Sequence, residues 1–249
     1  MRKVSIIGIG AGNPDYLTLQ AVAAIRDAQV FFMPDKGEEK AALNAVRGEM
    51  LARHASPGHR LATFAVPERS STPTYAEGVA AWRAELRDTY GRLIETELGA
   101  NGRGAFLVWG DPALYDGTIG ILDELRAAGF AFEVAIIPGI SAVQALCARH
   151  GVPLNRTGET VTITTARRVM AGEADGLSSF IVMLDSEGAW KRFIGEDAEI
   201  FWGAYLGMGE EVLVAGKIAD VAGKIELVRA AARGRHGWVM DSYMVRRRH

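Results

Sequence analysis

Three turns in the chain combine glycine, proline and small polar residues directly after apolar runs of strand length. They span residues 8–14, 110–112 and 138–142. Glycine frees the backbone, proline fixes φ, and an aspartate at such a corner accepts backbone hydrogen bonds. An isolated Gly110-Asp111-Pro112 would be only a strand-to-helix turn. If the three turns lie together, their backbone groups predict a concave site for a polar small ligand, with a cofactor as the favoured candidate.

Strands and helices must alternate for these turns to meet. In the first half, apolar runs alternate with helical periodicity, which predicts a parallel sheet covered by helices on both faces. Open sheets of this kind bind ligands at the carboxyl ends of their strands, where all three turns would lie. The second half has five strand-like segments and two convincing helices, which predicts a mixed sheet. The fold class is therefore α/β with two α/β domains, residues 1–152 and 153–249.

The composition argues against several other classes of protein. Apolar residues make up 49% of the chain and the formal net charge is −2, so nothing suggests that it wraps nucleic acid. No apolar run approaches the ~20 residues of a membrane span, and the first residues lead straight into a strand. The single cysteine, Cys147, fits a buried helix position and a cytoplasmic protein. The five histidines lack metal-ligand spacing, so we expect no metal.

The first glycine cluster also suggests a dinucleotide-binding turn. That fingerprint needs Gly-x-Gly-x-x-Gly, where the third glycine lets a helix pack closely on its strand. Gly8 and Gly10 fit, but Asn13 occupies the third position and Pro14 follows it. Asp35 stands where a ribose-binding acid would be. An NAD-dependent oxidoreductase is therefore a weak alternative.

The turns resemble those of the tetrapyrrole methylase family, the S-adenosylmethionine-dependent enzymes of corrin and sirohaem synthesis. The motifs follow the family's order: Gly8-Ile9-Gly10-Ala11-Gly12-Asn13-Pro14 with Leu17-Thr18-Leu19, Gly110-Asp111-Pro112, and Pro138-Gly139-Ile140-Ser141-Ala142 with Gly151-Val152-Pro153-Leu154. Residues 32–37, 109–116 and 238–247 add to the similarity. The resemblance implies two domains with S-adenosylmethionine in the cleft between them, and a homodimer.

Carried over by position, the resemblance assigns cofactor-binding residues to both domains. In the first domain they are Ala11, Trp109, Gly110, Asp111, Leu114, Ser141 and Ala142. In the second domain they are Met183, Leu184, Ala204, Tyr205 and Leu206. Relatives carry a Tyr-Met pair at Met183-Leu184, so it stays open which of these side chains touches the cofactor. Ser141 is also suited to cap a helix, and Tyr205 to pack in a core.

The resemblance further implies methylation of precorrin-5 at C1 with loss of acetate, which gives precorrin-6A. Loss of acetate needs a base, a water molecule and donors for an oxyanion. Asp35 and Glu68 are the candidate bases and Tyr115 the candidate donor, although each is also consistent with a solvated or packing side chain. The carboxylates of a tetrapyrrole require cations. The candidates for binding them lie on or beside loops: Lys36, Arg69 and Arg167.

Other functions stay open at this point. The acceptor could be another precorrin or corrin carbon, or a different molecule such as RNA or protein. Outside the family, the alternatives are the NAD-dependent oxidoreductase and a tetrapyrrole carrier without catalytic activity. Tight product binding without turnover would favour the carrier.

Overall fold

The computed structural model of the chain describes residues 1–35, 41–67 and 75–247. Contacts between residues divide it into two units. The first unit contains residues 1–10 and 14–140, and the second contains residues 11–13 together with the chain from Ser141 onward. The predicted domain boundary after Val152 lies one helix further along the chain.

The first unit is a five-stranded parallel sheet with helices on both faces. Its strands are β1 (Arg2–Gly8), β2 (Val30–Asp35), β3 (Arg60–Ala65), β4 (Arg103–Val108) and β5 (Phe132–Ile137). Its helices are α1 (Leu19–Asp27), α2 (Ala41–His54), α3 (Tyr75–Glu97) and α4 (Thr118–Ala127). The strand order is β3-β2-β4-β1-β5 and every pair is parallel, which confirms the predicted alternation.

Burial on both faces explains why these strands are continuously apolar. Alternate side chains of a strand point to opposite faces. Ile6 of β1 joins the core formed with α3 and α4, whereas Ile7 joins the core formed with α1 and α2. The start of α1 is fixed by Thr18, whose hydroxyl accepts from the Ala21 amide over 3.0 Å, as the sequence predicts.

The second unit is a mixed five-stranded sheet. It begins with α5 (Ala142–His150) and continues through β6 (Thr162–Thr165), α6 (Ala166–Met170), β7 (Ser179–Met183), β8 (Ala198–Ala204), β9 (Val212–Lys217), α7 (Ile218–His236) and β10 (Asp241–Arg247). The strand order is β6-β7-β10-β8-β9. Only β6 and β7 pair in parallel, which confirms the predicted mixed sheet. The short α6 was not expected from the sequence.

Cys147 on α5 is buried and forms no disulfide. Burial raises the pKa of its thiol, as expected for a residue that packs in a helix. Within the described ranges, no helix is long and apolar enough to cross a membrane. The described residues also contain no group of three His, Cys, Asp or Glu side chains that could hold a metal ion.

Candidate functional site

The turns that follow β1, β4 and β5 meet at one edge of the first sheet. These strands are parallel neighbours, with Gly8 paired to Val108. Beyond the strands, the Gly110 amide donates to the Gly10 carbonyl over 2.8 Å, and the Gly10 amide donates to the Gly110 carbonyl over 3.2 Å. The prediction that the turns share one edge is confirmed.

Only glycine fits where these turns approach most closely. A Cβ atom added to Gly139 would lie 2.1 Å from the Gly110 carbonyl oxygen, and one added to Gly8 would lie 2.6 Å from the Gly139 amide nitrogen. Both contacts are with backbone, which cannot swing aside as a flexible side chain can. The three turns therefore form a cradle in which the backbones of the turns pack directly against one another, and this requires glycine at Gly8 and Gly139.

The Asp111 carboxylate ties two of these turns together. Its Oδ1 accepts from the Ala113 amide over 2.8 Å, and its Oδ2 accepts from the Gly139 amide over 2.9 Å. The Thr18 hydroxyl adds a link by donating to the Pro138 carbonyl over 3.4 Å. Asp111 therefore sets the spacing of the cradle through both of its oxygens.

The other candidates near β4 are partly accessible. Trp109 directly follows the strand, is half-buried and packs against the core formed with α1 and α2. Leu114 is also half-buried, and its amide donates to the Asp111 carbonyl over 3.1 Å. Ala11 is buried and belongs to the second unit. Trp109 and Leu114 thus keep side-chain surface that a ligand can contact.

Three non-glycine residues have positive φ in the described part of the chain: Tyr115 (55°), Leu184 (57°) and Tyr205 (51°). This region costs an L-residue about 1–2 kcal/mol. Residues held there concentrate at functional sites. All three were selected as site residues from the sequence. Backbone strain therefore singles out the same turns, after β4, β7 and β8, by an independent criterion.

The second sheet brings the ends of β7 and β8 to one edge. Both strands run antiparallel to β10, which lies between them. Ser242 of β10 pairs with Met183 on one side and with Gly203 on the other. Leu184 and Tyr205 therefore follow strand ends that are separated by a single strand, or about 10 Å. The second unit gathers its candidates at this edge.

The two strained residues of the second unit differ in exposure. Leu184 is 66% exposed, whereas Tyr205 is 3% exposed. The Tyr205 hydroxyl donates to the Trp238 carbonyl over 2.5 Å, and its ring packs edge-on against Trp238 and His236. Burial raises the pKa of Tyr205, which keeps the hydroxyl a neutral donor. Tyr205 is thus anchored in the core, as are its buried neighbours Ala204 and Leu206.

A buried carboxylate holds the turn that follows Leu184. Asp185 Oδ1 accepts from the Glu187 amide over 2.9 Å and from the Gly188 amide over 2.6 Å. Its Oδ2 accepts from the Ala189 amide and from the Tyr243 hydroxyl, each over 2.8 Å. Four donors therefore fix this turn and with it the strained backbone of Leu184.

A second buried carboxylate extends this network towards Tyr205. Arg229 donates to the Asp185 carbonyl over 2.9 Å, and its Nε lies 3.3 Å from Asp241 Oδ2. The same Oδ2 accepts from the Trp202 indole over 2.9 Å. Burial raises the pKa of Asp241 to about 6, although Arg229 and the Trp202 hydrogen bond act in the opposite direction. Asp241 is the strand partner of Ala204, the residue before Tyr205.

Ser141 is occupied in capping α5. Its Oγ accepts from the Val143 amide over 3.1 Å, and its own amide donates to Gln144 Oε1 over 3.1 Å. These bonds form a capping box, so the helix-cap role considered from the sequence is present. Ala142, the first residue of the helix, is half-buried.

The predicted catalytic residues that the structure describes lie at the surface. Asp35 ends β2 and is exposed. Because β2 and β4 are parallel neighbours, Asp35 lies at the same sheet edge as Trp109. Tyr115 is 47% exposed. Glu68 lies outside the described residues, so its predicted role as a base stays a prediction.

Of the predicted substrate-binding cations, the structure describes Arg167. It lies in α6, directly after the end of β6, and is exposed. Thr165, the last residue of β6, pairs with Met183, so Arg167 lies near the edge that carries Leu184. Lys36 and Arg69 fall outside the described residues.

The structure also gathers three polar residues that sequence reasoning did not select. Arg47 of α2, Tyr90 of α3 and Asp116 before α4 line one cavity in the first unit. Asp116 belongs to the run of residues 109–116 that carries part of the resemblance, whereas nothing in the sequence distinguishes Arg47 or Tyr90 from other helix residues. The residues lie on three separate elements, so only the folded chain brings them together.

The family model for tetrapyrrole (corrin/porphyrin) methylases matches residues 3–222. A precorrin-6A synthase (deacetylating) from Sinorhizobium sp. is 46% identical over 250 aligned residues, which cover 99% of this chain and 96% of that relative. The family match spans most of both units.

Solved structures agree. A putative cobalamin synthesis related protein (CobF) from Corynebacterium diphtheriae matches with a TM-score of 0.85 and 36% identity, covering 99% of this chain and 98% of that one. A uroporphyrin-III C-methyltransferase from Thermus thermophilus, complexed with S-adenosylhomocysteine, has the same fold, with a TM-score of 0.57, 16% identity and coverage of 98% and 96%. The predicted fold class and family are confirmed: the chain belongs to the tetrapyrrole (corrin/porphyrin) methylase family.

Proposed function

We propose that the chain is an S-adenosylmethionine-dependent C-methyltransferase of cobalamin biosynthesis. Its substrate is precorrin-5, which it methylates at C1 with loss of acetate to give precorrin-6A. The observation that carries this proposal is the 46% identity, over 99% of the chain, to a precorrin-6A synthase (deacetylating). The backbone cradle of the first unit and the strained edge of the second unit support it as places for a ligand.

S-adenosylmethionine is the methyl donor of this proposal. When bound, it supplies a methyl group already activated by its sulfonium. The chain's own task is then to align the reactants and to exclude water. The cradle suits this task, because its close backbone contacts and the two bonds of Asp111 hold the three turns in a fixed arrangement, next to the half-buried side chains of Trp109 and Leu114. In the first unit we propose that Trp109, Gly110, Asp111 and Leu114 hold the cofactor.

The second unit contributes its own proposed cofactor residues. They are Ala11, Ser141, Ala142, Met183, Leu184, Ala204, Tyr205 and Leu206. Leu184 is 66% exposed while Met183 is half-buried, which favours the Leu184 side chain as the one that touches the ligand. Tyr205 and Leu206 are buried, so we propose that their side chains maintain the shape of the turn.

The direct test incubates the purified chain with precorrin-5 and methyl-labelled S-adenosylmethionine. We expect one labelled methyl group in the macrocycle and one acetate released for each turnover, measured by mass spectrometry and an acetate assay. A macrocycle that gains no methyl group, with no acetate released, would overturn the proposal. Methyl gain at another carbon without acetate would favour a different precorrin methyltransferase of the same family.

The NAD-dependent alternative finds no support in the turn after β1. In a dinucleotide fold, the glycine turn leads directly into a helix whose N-terminus receives the pyrophosphate. Here a 3-10 segment, Pro14–Tyr16, intervenes before α1 begins at Leu19. Mass spectrometry of freshly purified protein separates the two cases, because bound S-adenosylhomocysteine would exclude the oxidoreductase.

The proposal also includes a homodimer and a cytoplasmic location. The family resemblance favours the dimer. Light scattering of the purified chain tests it, since a monomer across the micromolar range would contradict it. Fractionation of expressing cells tests the location.

A further inference from the structure

A cavity of about 180 Å³ lies within the first unit, at the carboxyl ends of β2, β3 and β4. Apolar side chains from the sheet and from α3 and α4 form about half of its lining surface, and polar groups form the rest; the apolar ones are Phe32, Phe64, Trp82, Leu86, Phe106 and Ile121. Trp109, at the end of β4, also lines it. The volume equals roughly six water molecules at their share of liquid volume. It suits a small group on a substrate and is far too small for a macrocycle.

Arg47 places a buried positive charge in the wall of this cavity. The residue is 5% exposed. Its Nε donates to the Leu107 carbonyl over 3.2 Å, and its Nη1 donates to the Leu43 carbonyl over 3.4 Å and to Asn44 Oδ1 over 3.3 Å. Its Nη2 donates to no residue in the described part of the chain. Burial lowers the pKa of Arg47, although the nearby Asp116 and Tyr90 act in the opposite direction.

Asp116 is the negative group of the same cavity. It interacts electrostatically with Arg47 but forms no ion pair with any residue in the described ranges. Its Oδ1 accepts from the Thr118 amide over 2.8 Å at the start of α4. The other oxygen accepts from no described donor. A carboxylate and a guanidinium thus share one small cavity, and each has capacity for a further hydrogen bond.

Tyr90 completes the polar lining as a neutral group. It is buried and lines the cavity beside Thr118. Burial, with the nearby Asp116 charge, raises the pKa of Tyr90, so the phenol keeps its proton. Among the residues that line the cavity and are described, Arg47 and Asp116 are therefore the two that carry charge.

A largely buried guanidinium that forms no ion pair with a described residue and keeps a donor unused is costly, and an oxygen ligand on Nη2 would offset that cost. We propose that this cavity holds the acetyl group of the substrate during deacetylation, with Arg47 binding its oxygen and Asp116 accepting the proton of the attacking water. This inference rests on the proposed function. It moves the hydrolytic base from Asp35 and Glu68 to Asp116.

The step balances within these groups. Asp116 removes a proton from water while the water oxygen bonds to the acetyl carbonyl carbon, whose π electrons move to the carbonyl oxygen. Arg47 Nη2 stabilises that oxyanion. Collapse breaks the bond between the acetyl group and the macrocycle. Acetic acid forms, the proton taken up by Asp116 and that of acetic acid pass to solvent, and the electron pair stays on the macrocycle carbon. That carbon is then the nucleophile that methylation needs, so no oxidant or reductant is required.

The first test is binding of acetate itself, which does not depend on turnover. Acetate titration is followed by line broadening of carbon-13-labelled acetate and by the fluorescence of Trp82 and Trp109. We expect Arg47→Met to weaken acetate binding at least about tenfold. Asp116→Asn should bind acetate as tightly as the unmodified chain or more tightly, because a negative charge is gone. Equal acetate binding by the unmodified chain and Arg47→Met would overturn the proposal.

The second test measures acetate release from precorrin-5. Asp116→Asn keeps an Oδ1 acceptor for the Thr118 amide, so it preserves the start of α4. We expect its rate constant for acetate release to fall at least about 100-fold, and that of Arg47→Met to fall by a similar factor. S-adenosylhomocysteine affinity and thermal melting should stay close to those of the unmodified chain for Asp116→Asn. Acetate release by Asp116→Asn at the unmodified rate would overturn the assignment.

A control variant of another arginine, and the separate effects of Arg47→Met on kcat and KM, test the assignment further. Arg53→Met, on the same helix, removes an exposed arginine that pairs with Glu49, and it should release acetate normally. If Arg47 instead held a carboxylate arm of the substrate, Arg47→Met would raise KM and leave kcat unchanged, which would overturn the acetyl assignment. Failure of the unmodified chain to act on precorrin-5 would contradict the proposed function, while the acetate titration would still decide whether the cavity binds a carboxylate.

Discussion

In the first unit, the turns after β1, β4 and β5 meet through glycines, and the closest contact is between bare backbones at Gly139 and Gly110. In the second unit, the turns after β7 and β8 are built on Leu184 and Tyr205, which hold positive φ despite their side chains. The first edge depends on glycines, because a Cβ atom would clash with the neighbouring turn. The second gains its shape from strain that a buried polar network must hold.

This difference determines how each edge should fail. The close contacts of the glycine cradle leave no room for a Cβ atom, and the one strained residue described near it, Tyr115, lies outside those contacts, so the cradle should be sensitive to added atoms. The second edge carries about 1–2 kcal/mol for each strained residue, so it should be sensitive to lost hydrogen bonds. Substitutions that add a Cβ atom should therefore mainly affect the first unit, and substitutions that remove a hydrogen-bond acceptor should mainly affect the second.

The largest effect should come from Gly139→Ala. The new Cβ would lie 2.1 Å from the Gly110 carbonyl oxygen, so the turns must separate. We expect a loss of about 5 kcal/mol in the free energy of unfolding, at the upper end for one substitution, together with loss of S-adenosylhomocysteine binding. Urea denaturation and calorimetry measure the two quantities. Gly99→Ala, where no atom lies within 4 Å of the added Cβ, is the matched control. Equal stability of the two variants would show that the cradle is not close-packed.

Asp185→Ala should have the next largest effect, because it removes the acceptor of three amides and one hydroxyl. Each buried donor left without a partner costs about 1–3 kcal/mol, and local relaxation recovers part of the sum. We expect a loss of about 4 kcal/mol in the free energy of unfolding. Asp175→Ala removes an exposed partner of Arg192 in the same unit and should cost less than about 1 kcal/mol. A similar cost for both variants would show that the network does not hold the second edge.

Local patterns predicted most of the fold and the first edge. The convergence of the three turns follows from alternating strands and helices, since all parallel strands end on one side. The Thr18 cap follows from short-range rules for helix ends. Family resemblance then assigned the second edge residue by residue, including the strained Leu184 and Tyr205.

The sequence does not predict features that depend on packing between residues far apart in the chain. Nothing near Leu184 in the chain indicates positive φ, because the cause is the network of Asp185 with Tyr243 and Arg229. The cavity of Arg47 and Asp116 was missed for the same reason, since α2 and the turn before α4 meet only in the folded sheet. A lone arginine in a helix is usually solvated, and only its burial revealed otherwise.

Asp241 should give the second edge a characteristic pH dependence. Its pKa is raised to about 6 in the folded protein, whereas an aspartate in an unfolded chain has a pKa of about 3.9. Between about pH 4 and pH 6 the folded protein therefore binds the proton more tightly, so the stability that this group contributes falls as the pH rises. The full change is about 3 kcal/mol, at about 1.4 kcal/mol for each pKa unit.

Asp241→Asn isolates this titration, because its amide oxygen can still accept from the Trp202 indole. Urea denaturation of both proteins at a series of pH values measures the difference in unfolding free energy. That difference should move in favour of the variant as the pH rises from about 4 to about 6. A constant difference across this window would mean that Asp241 does not titrate there.

The smallest change in stability should come from substitutions of Leu184, where backbone strain can be separated from the contact of the side chain with the cofactor. Glycine accepts positive φ freely, so Leu184→Gly removes the strain while adding freedom to the unfolded chain. We expect a gain of up to about 1 kcal/mol in the free energy of unfolding. Because the exposed side chain is proposed to touch the cofactor, the affinity for S-adenosylhomocysteine should fall about tenfold. Leu184→Ala keeps the strain and loses the side chain, so it should bind equally weakly without gaining stability. Weak binding by the glycine variant alone would mean that the strained backbone, and not the leucine side chain, is what the ligand requires.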